Sequence, residues 1–210
     1  MDKTKVAVVE DTEEIRLNLQ KNLNLSELFE CYHSYSNAED ALEMIEGSEV
    51  DVILMDIELP GASGIECTSI LKEKFPAIQI IILTVFDDAE RIFLALEKGA
   101  TGYLLKNTPI DKIMQSITEV MNGESPMSGA IARKIVHSFN QKATITQEIR
   151  QLTPREKELL DLLAEGYRYK ELASMLSISM DTVRSHIRHI YEKLQVSCKV
   201  EAINKLRVSK

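Results

Sequence analysis

The sequence predicts an α/β protein, a five-stranded doubly wound parallel sheet, followed by a small all-α domain. Three observations lead there. Over residues 1–122, β-branched apolar runs alternate five times with stretches of helical periodicity, the pattern of a parallel sheet covered by helices. The runs at 52–55 and 80–83 are apolar at consecutive positions, as strands buried on both faces are. Residues 151–210 carry helical patterning throughout.

The strand runs are KVAVVE (5–10), FECYHSY (29–35), VDVILMD (50–56), QIIILT (79–84) and GYLL (102–105). Between them Ile15, Leu19 and Leu23 recur at a helical interval, as do Ala38, Leu42 and Ile45, then Ile70, Leu71 and Phe75, then Ile92 and Leu96, and last Ile113, Ile117 and Val120. Residues 123–150 change character. GESPMSGA is turn-rich, 130–139 reads as a short helix bearing Ile131, Ile135 and Phe139, and NQKATITQEIRQ reads as a polar linker. Thr153-Pro154-Arg155-Glu156 then has an N-cap, a proline at N1 and a glutamate at N3. That helix is expected to stop at Gly166. Further helices are expected at about 170–176, 180–194 (capped by Ser179) and 199–206.

With 44% hydrophobic and 28% charged residues, the chain has the composition of a soluble globular protein. Its N-terminus lacks the apolar core of a secretion signal and no run is long enough to span a bilayer, so the protein reads as cytoplasmic. Cys31, Cys67 and Cys198 are far apart and form no CxxC. They read as isolated buried thiols rather than a disulfide frame or a zinc site. The net charge of −8 hides an asymmetry. Residues 1–150 carry 14 Lys/Arg against 25 Asp/Glu, and residues 151–210 carry 11 against 8. An acidic body with a basic tail points to a polyanion partner for the tail alone.

The acids of the body are not scattered. The first strand ends on Glu10 and Asp11, the third on Asp56, the fourth on Thr84, and Lys106 follows the fifth. In an open parallel sheet ligands bind beyond the carboxyl ends of the strands, where strand order reverses. For five doubly wound strands that point lies between the first and third. Three carboxylates there repel one another and call for a cation, and an all-oxygen donor set suits Mg²⁺. Asp56 can then attack phosphorus to give an aspartyl phosphate, with Lys106 and the metal neutralising the phosphoryl charge and Thr84 donating to the product phosphate.

VVED, ILMDIELPGASG, LTV and YLLK resemble the receiver domain of bacterial two-component response regulators. The resemblance implies that Asp56 is the phosphoacceptor, charged by a sensor histidine kinase. It implies that Asp11 and Asp56 ligate Mg²⁺ directly, Glu10 through water, and Glu58 through its backbone carbonyl. Thr84 and Tyr103 look like a switch pair, the threonine moving to the phosphate as the ring turns inward. Leu59 stands where many relatives have methionine. An aspartyl-phosphate phosphatase is the rival reading, but those enzymes place a second acid two residues after the nucleophile near the chain start, and here that pair falls on the third strand. The receiver would accept a phosphoryl group without being a turnover enzyme.

In the tail, two helical stretches are joined by a short turn. In the second, Val183, Ile187, Ile190 and Leu194 share one face, and Arg184, Ser185, Arg188, His189 and Lys193 the other. Such a helix fits the DNA major groove, where arginine reads guanine. TPRE, LAEG, KELA, LSIS, TVRSHIRHIYEKL and KVEAI resemble the LuxR/NarL-type helix-turn-helix domain. By that resemblance Arg184, Ser185 and Arg188 face bases, and Thr182, His186, His189, Lys193 and Lys199 are candidates for phosphates. Tyr169 departs from the family's usual asparagine. The last helix is a dimer surface in relatives. The expected partners are therefore the kinase, promoter half-sites in double-stranded DNA, a second copy of the chain, and RNA polymerase. The expected domains are a receiver (1–122), a linker with a short helix (123–150) and a DNA-binding domain (151–210).

Overall fold

The computed structural model describes residues 2–45 and 49–208. The chain divides into two compact units, Met1–Ile135 and Val136–Lys210.

The first unit runs β1 (Thr4–Val9), α1 (Glu13–Leu25), β2 (Phe29–Tyr35), α2 (Ala38–Ile45), β3 (Val52–Met55), α3 (Gly64–Lys74), β4 (Gln79–Thr84), α4 (Ala89–Glu97), β5 (Gly102–Leu105) and α5 (Ile110–Met121). The five strands are parallel in the order β2-β1-β3-β4-β5. Order reverses between β1 and β3, as the sequence predicts. Strand side chains alternate between two cores. Ala7, Val9, Ile53, Met55, Ile80, Ile82 and Tyr103 face α2, α3 and α4. Val6, Val8, Val52, Leu54, Ile81, Leu83 and Leu104 face α1 and α5. Ile70, assigned to a core by its spacing, is 39% exposed. Ile65, Cys67 and Leu71 fill the inner face of α3 instead.

Residues 140–150, read as a polar linker, are helical. They continue α6 (Gly129–Arg150), and Ile145 and Ile149 are buried in the core of the second unit. Two isoleucines a turn apart were enough to carry a helix through a polar stretch. That core is otherwise built from α7 (Pro154–Ala164), α8 (Tyr169–Met175), α9 (Met180–Lys193) and α10 (Lys199–Val208). The Thr153 hydroxyl accepts from Glu156 N and Glu156 Oε2 accepts from Thr153 N at 2.8 Å, closing the expected capping box. Ser179 Oγ accepts from Thr182 N at 3.1 Å to start α9. Among the described residues no helix is long and apolar enough to cross a membrane. Cys31 and Cys67 are buried, whereas Cys198, also expected inside, is exposed.

Helices α7, α8 and α9 stop in the same way, with the paired 6→1 and 5→2 hydrogen bonds of a left-handed C-terminal cap. For α8 these run from Ile178 N to Ala173 O (3.0 Å) and Ser177 N to Ser174 O (3.3 Å). Gly166 supplies the left-handed residue after α7, but Ser177 (φ 52°) and Gln195 (φ 51°) supply it after α8 and α9. A side chain there is strained by roughly 1–2 kcal/mol, partly offset by the unfolded-state entropy that a glycine would add. Ser177→Gly is therefore expected to raise stability by about 0.5 kcal/mol, read as a higher urea midpoint at unchanged slope. A lower midpoint would mean that the serine side chain stabilises the turn.

Candidate functional site

Backbone register brings the acids together. Val9 pairs with Met55 across β1 and β3, and Asp56 N donates to Val9 O at 2.9 Å. Glu10 and Asp56 thus leave the sheet side by side. Lys106 N donates to Thr84 O at 2.8 Å, which sets Lys106 beside Thr84 at the ends of β4 and β5. The Lys106 ammonium lies 2.7 Å from Glu10 Oε2 and 2.9 Å from Asp56 Oδ2. Glu10 and Asp56 are 2% and 3% exposed, while Asp11 is exposed.

Burial pushes the Glu10 carboxyl up, and it outweighs the opposing pull of Lys106. Burial lowers the Lys106 ammonium, but its hydrogen bonds to Glu10 and Asp56 and their charges outweigh this and raise it. Asp56 Oδ1 accepts from Ile57 N at 2.7 Å. Carboxylate oxygens of Glu10, Asp11 and Asp56 lie within 4.8 Å of one another. Three carboxylates against the Lys106 ammonium leave an excess of negative charge at the site, which the Arg16 guanidinium on the loop's backbone only partly offsets. Hard oxygen donors with that excess fit a divalent cation such as Mg²⁺. Thr84 is fully buried and its Oγ1 has no hydrogen-bond partner, so the site holds a donor waiting for an acceptor. Tyr103, also fully buried, donates from its hydroxyl to Phe86 O at 3.0 Å. Its ring is turned inward. Glu58 is exposed beside the site.

Three supports escaped the sequence reading. Arg16 on α1 donates to the backbone carbonyls of Glu10 (2.7 Å) and Asp11 (3.1 Å), fixing the acidic loop. The partners are only five and six residues away, but no sequence motif marks the contact. Gly64 N donates to Ile57 O at 3.0 Å, and a Cβ on Gly64 would lie 1.8 Å from the Asp56 carbonyl oxygen. Only glycine lets α3 start so close to Asp56. Glu39 Oε1 accepts from Ala62 N at 3.0 Å and holds the β3–α3 loop from behind. The Gly after a serine cap is a signal the sequence does carry.

In the second unit, α8 and α9 form the helix–turn–helix. Val183, Ile187 and Ile190 are buried. Arg184, Arg188 and His189 are exposed, Thr182, Ser185, His186 and Lys199 partly so. Arg184 makes an exposed ion pair with Asp181 at 3.2 Å. Lys193, expected on the outer face, also has an inner partner. Its ammonium sits 2.6 Å from Glu156 Oε2, and the Glu156 side chain is 5% exposed. A buried carboxylate needs a partner, and Lys193 is it.

A doubly wound sheet ending in an acid triad and an ammonium, joined to a helix–turn–helix with a basic outer face, defines a phosphate-responsive DNA-binding regulator. Residues 6–118 match the response regulator receiver domain family, and residues 150–206 match the luxR family of bacterial regulatory proteins. The chain is 33% identical over 205 residues to the oxygen regulatory protein NreC of Staphylococcus carnosus (strain TM300), covering 95% of this chain and 94% of that one. It is 35% identical over 205 residues to NreC of Staphylococcus aureus (strain JH9), with the same coverage. Among solved structures, the RcsB response regulator of Salmonella typhimurium shares the fold, with a TM-score of 0.70, 21% identity and coverage of 98% of this chain and 100% of that one. The chain belongs to the two-component response regulators that join a receiver domain to a LuxR-type DNA-binding domain.

Burial pushes the Glu156 carboxyl up, but hydrogen bonds from Lys193 and the Thr153 cap, with the Lys193 charge, outweigh it and hold the group below its ordinary 4.5. Its stabilisation is therefore complete above 4.5 and fades as pH falls through the lower folded value. Glu156→Gln is expected to cost about 1–3 kcal/mol at neutral pH and to lose less stability on acidification than the wild type. Parallel urea midpoints against pH for the two proteins would overturn the pairing.

Proposed function

We propose that Asp56 is the phosphoacceptor, charged by a sensor histidine kinase, and that its phosphorylation controls binding of the chain as a dimer to paired promoter half-sites. The observation that carries this reading is the Lys106 ammonium spanning Glu10 and Asp56 beside the partnerless buried hydroxyl of Thr84. Asp56 attacks phosphorus through a carboxylate oxygen as the phosphorus–nitrogen bond to the kinase's phosphohistidine breaks, and the imidazole leaves with the electron pair and takes up a proton. Lys106 follows the charge onto the phosphoryl oxygens, and Thr84 donates to one of them. Asp11 and Asp56, with Glu10 through water and the Glu58 backbone carbonyl, would hold Mg²⁺, which supplies charge neutralisation at the phosphoryl group. Thr84 and Tyr103 form the switch. The chain turns over no external substrate.

On DNA, Arg184, Ser185 and Arg188 meet base edges, while Thr182, His189 and Lys199 meet phosphates. Lys193, whose side chain stays 34% exposed while it pairs with Glu156, belongs with the phosphate candidates. Residues 1–122 form the receiver, 123–150 the connector and 151–210 the reader, which dimerises through α10. The protein works in the cytoplasm, where kinase, promoter and RNA polymerase meet.

Asp56→Asn is expected to take up no labelled phosphate from a small phosphodonor with Mg²⁺ present. Normal stoichiometry on that variant would defeat the assignment. Arg188→Ala is expected to weaken specific binding by about 1–3 kcal/mol and relax the preference at one base pair. The binding site comes from selecting genomic fragments on the protein with and without Mg²⁺ and beryllium fluoride, an aspartyl-phosphate mimic. Equal enrichment in both arms would sever DNA reading from Asp56.

A further inference from the structure

The β4–α4 loop carries more than the Thr84 end of the site. Phe86 O accepts from the Tyr103 hydroxyl at 3.0 Å. The Phe86 ring lies 3.8 Å beneath the Arg91 guanidinium, and Asp88 caps α4 by accepting from Arg91 N at 3.0 Å. The residue between them, Asp87, takes a lysine from another element. Lys134, on the second turn of α6, donates to Asp87 O at 2.5 Å and lies 2.7 Å from Asp87 Oδ2.

The start of α6 is seated by other contacts in the same unit. Tyr103 N donates to Pro126 O at 2.9 Å, and Met127 makes an isolated parallel bridge with Tyr103. Gly102 makes room for this, since a Cβ there would lie 2.9 Å from the Pro126 ring. Ser128 caps α6, accepting from Ile131 N at 3.2 Å. Ile131 is 1% exposed in the core that contains Tyr103 and Ile92, and Ile135 packs against that core. Residues 126–135 therefore touch the switch aromatic through its backbone and its core, and touch the switch loop through Lys134.

We propose that Lys134 and Asp87 form a latch through which phosphorylation of Asp56 seats the first two turns of α6, the latched arrangement being the one that phosphoryl favours. This rests on the phosphoacceptor reading above. A phosphoryl group gives the Thr84 hydroxyl its missing acceptor. Thr84 lies three residues before Asp87, so its movement carries the loop that offers Phe86 O to Tyr103 and Asp87 to Lys134. Tyr103 inward, Phe86 O bonded and Lys134 engaged are one state. An exposed ion pair stabilises weakly, so the latch sets the position of a segment that buried Ile131 holds. Linkage makes the bias reciprocal: an engaged latch favours phosphoryl as much as phosphoryl favours the latch.

Amide hydrogen exchange on the full chain tests this, with Mg²⁺ alone and with Mg²⁺ and beryllium fluoride. In the wild type the mimic should slow exchange at 130–135 together with the β4–α4 loop. Lys134→Glu, which sets like charges against each other, should keep the loop response, lose the α6 response and need about two- to fivefold more mimic for half-saturation. Asp87→Lys combined with Lys134→Glu should restore both. A loop that responds while 130–135 does not, or a Lys134→Glu variant that behaves as wild type, overturns the latch and leaves the Asp56 reading intact. Wild type with no response at the loop sinks the Asp56 reading, and the latch with it.

Discussion

The ammonium of Lys106 is the charge on which the first unit is organised. Glu10 and Asp56 are nearly inaccessible to water and lie close enough to repel. Burial already pushes the Glu10 carboxyl up against the pull of Lys106, and without that cation nothing there would oppose it so directly. Everything that positions Lys106 is backbone: the parallel pairing of β4 with β5 and the bond from Lys106 N to Thr84 O. The acids are positioned by the backbone pairing of β1 with β3 and by one side chain, Arg16, which grips the carbonyls of Glu10 and Asp11. The chemistry can therefore be exact in geometry while its side chains stay few.

The second unit repeats this device for a different end. Glu156 is buried at the start of α7 and Lys193 reaches it from the last turn of the reading helix. The pair ties the C-terminal end of α9 to α7, while Arg184 in the first half of the helix and Arg188 in the second face outward. In one unit a buried carboxylate and a lysine hold a reactive centre; in the other they hold a helix at a fixed pitch.

Much of this was legible in the sequence because it is local or periodic. Consecutive apolar residues at 52–55 and 80–83 fit strands buried on both faces, and the positions of Asp56 and Thr84 at their ends follow from chain order. The capping box at Thr153 and the stop at Gly166 are short-range signals, and both formed. Several of the losses are long-range. Nothing near Lys193 announces Glu156, thirty-seven residues away, so helical spacing shows the outward face of this lysine and not its inner partner. Lys134 and Asp87 stand forty-seven residues apart, and only the fold brings them near. The linker assignment failed for another reason: Ile145 and Ile149 are too few to show a period inside a polar stretch, yet their burial decides its conformation. Ser177 and Gln195 were missed because the left-handed position usually announces itself with glycine.

The uneven charge of the molecule shapes how it samples a chromosome. Arg184 and Arg188 stand on a tail with an excess of basic residues, attached to a body whose acids outnumber its bases by 25 to 14. Duplex DNA attracts the first and repels the second. The repulsion carries no sequence information, so it subtracts equally from every encounter, and it weakens arbitrary sites to the point of brief occupancy. A cognate site adds base contacts that arbitrary sequence lacks. An acidic body therefore acts as a built-in salt, shortening unproductive residence and leaving more of the population free of DNA.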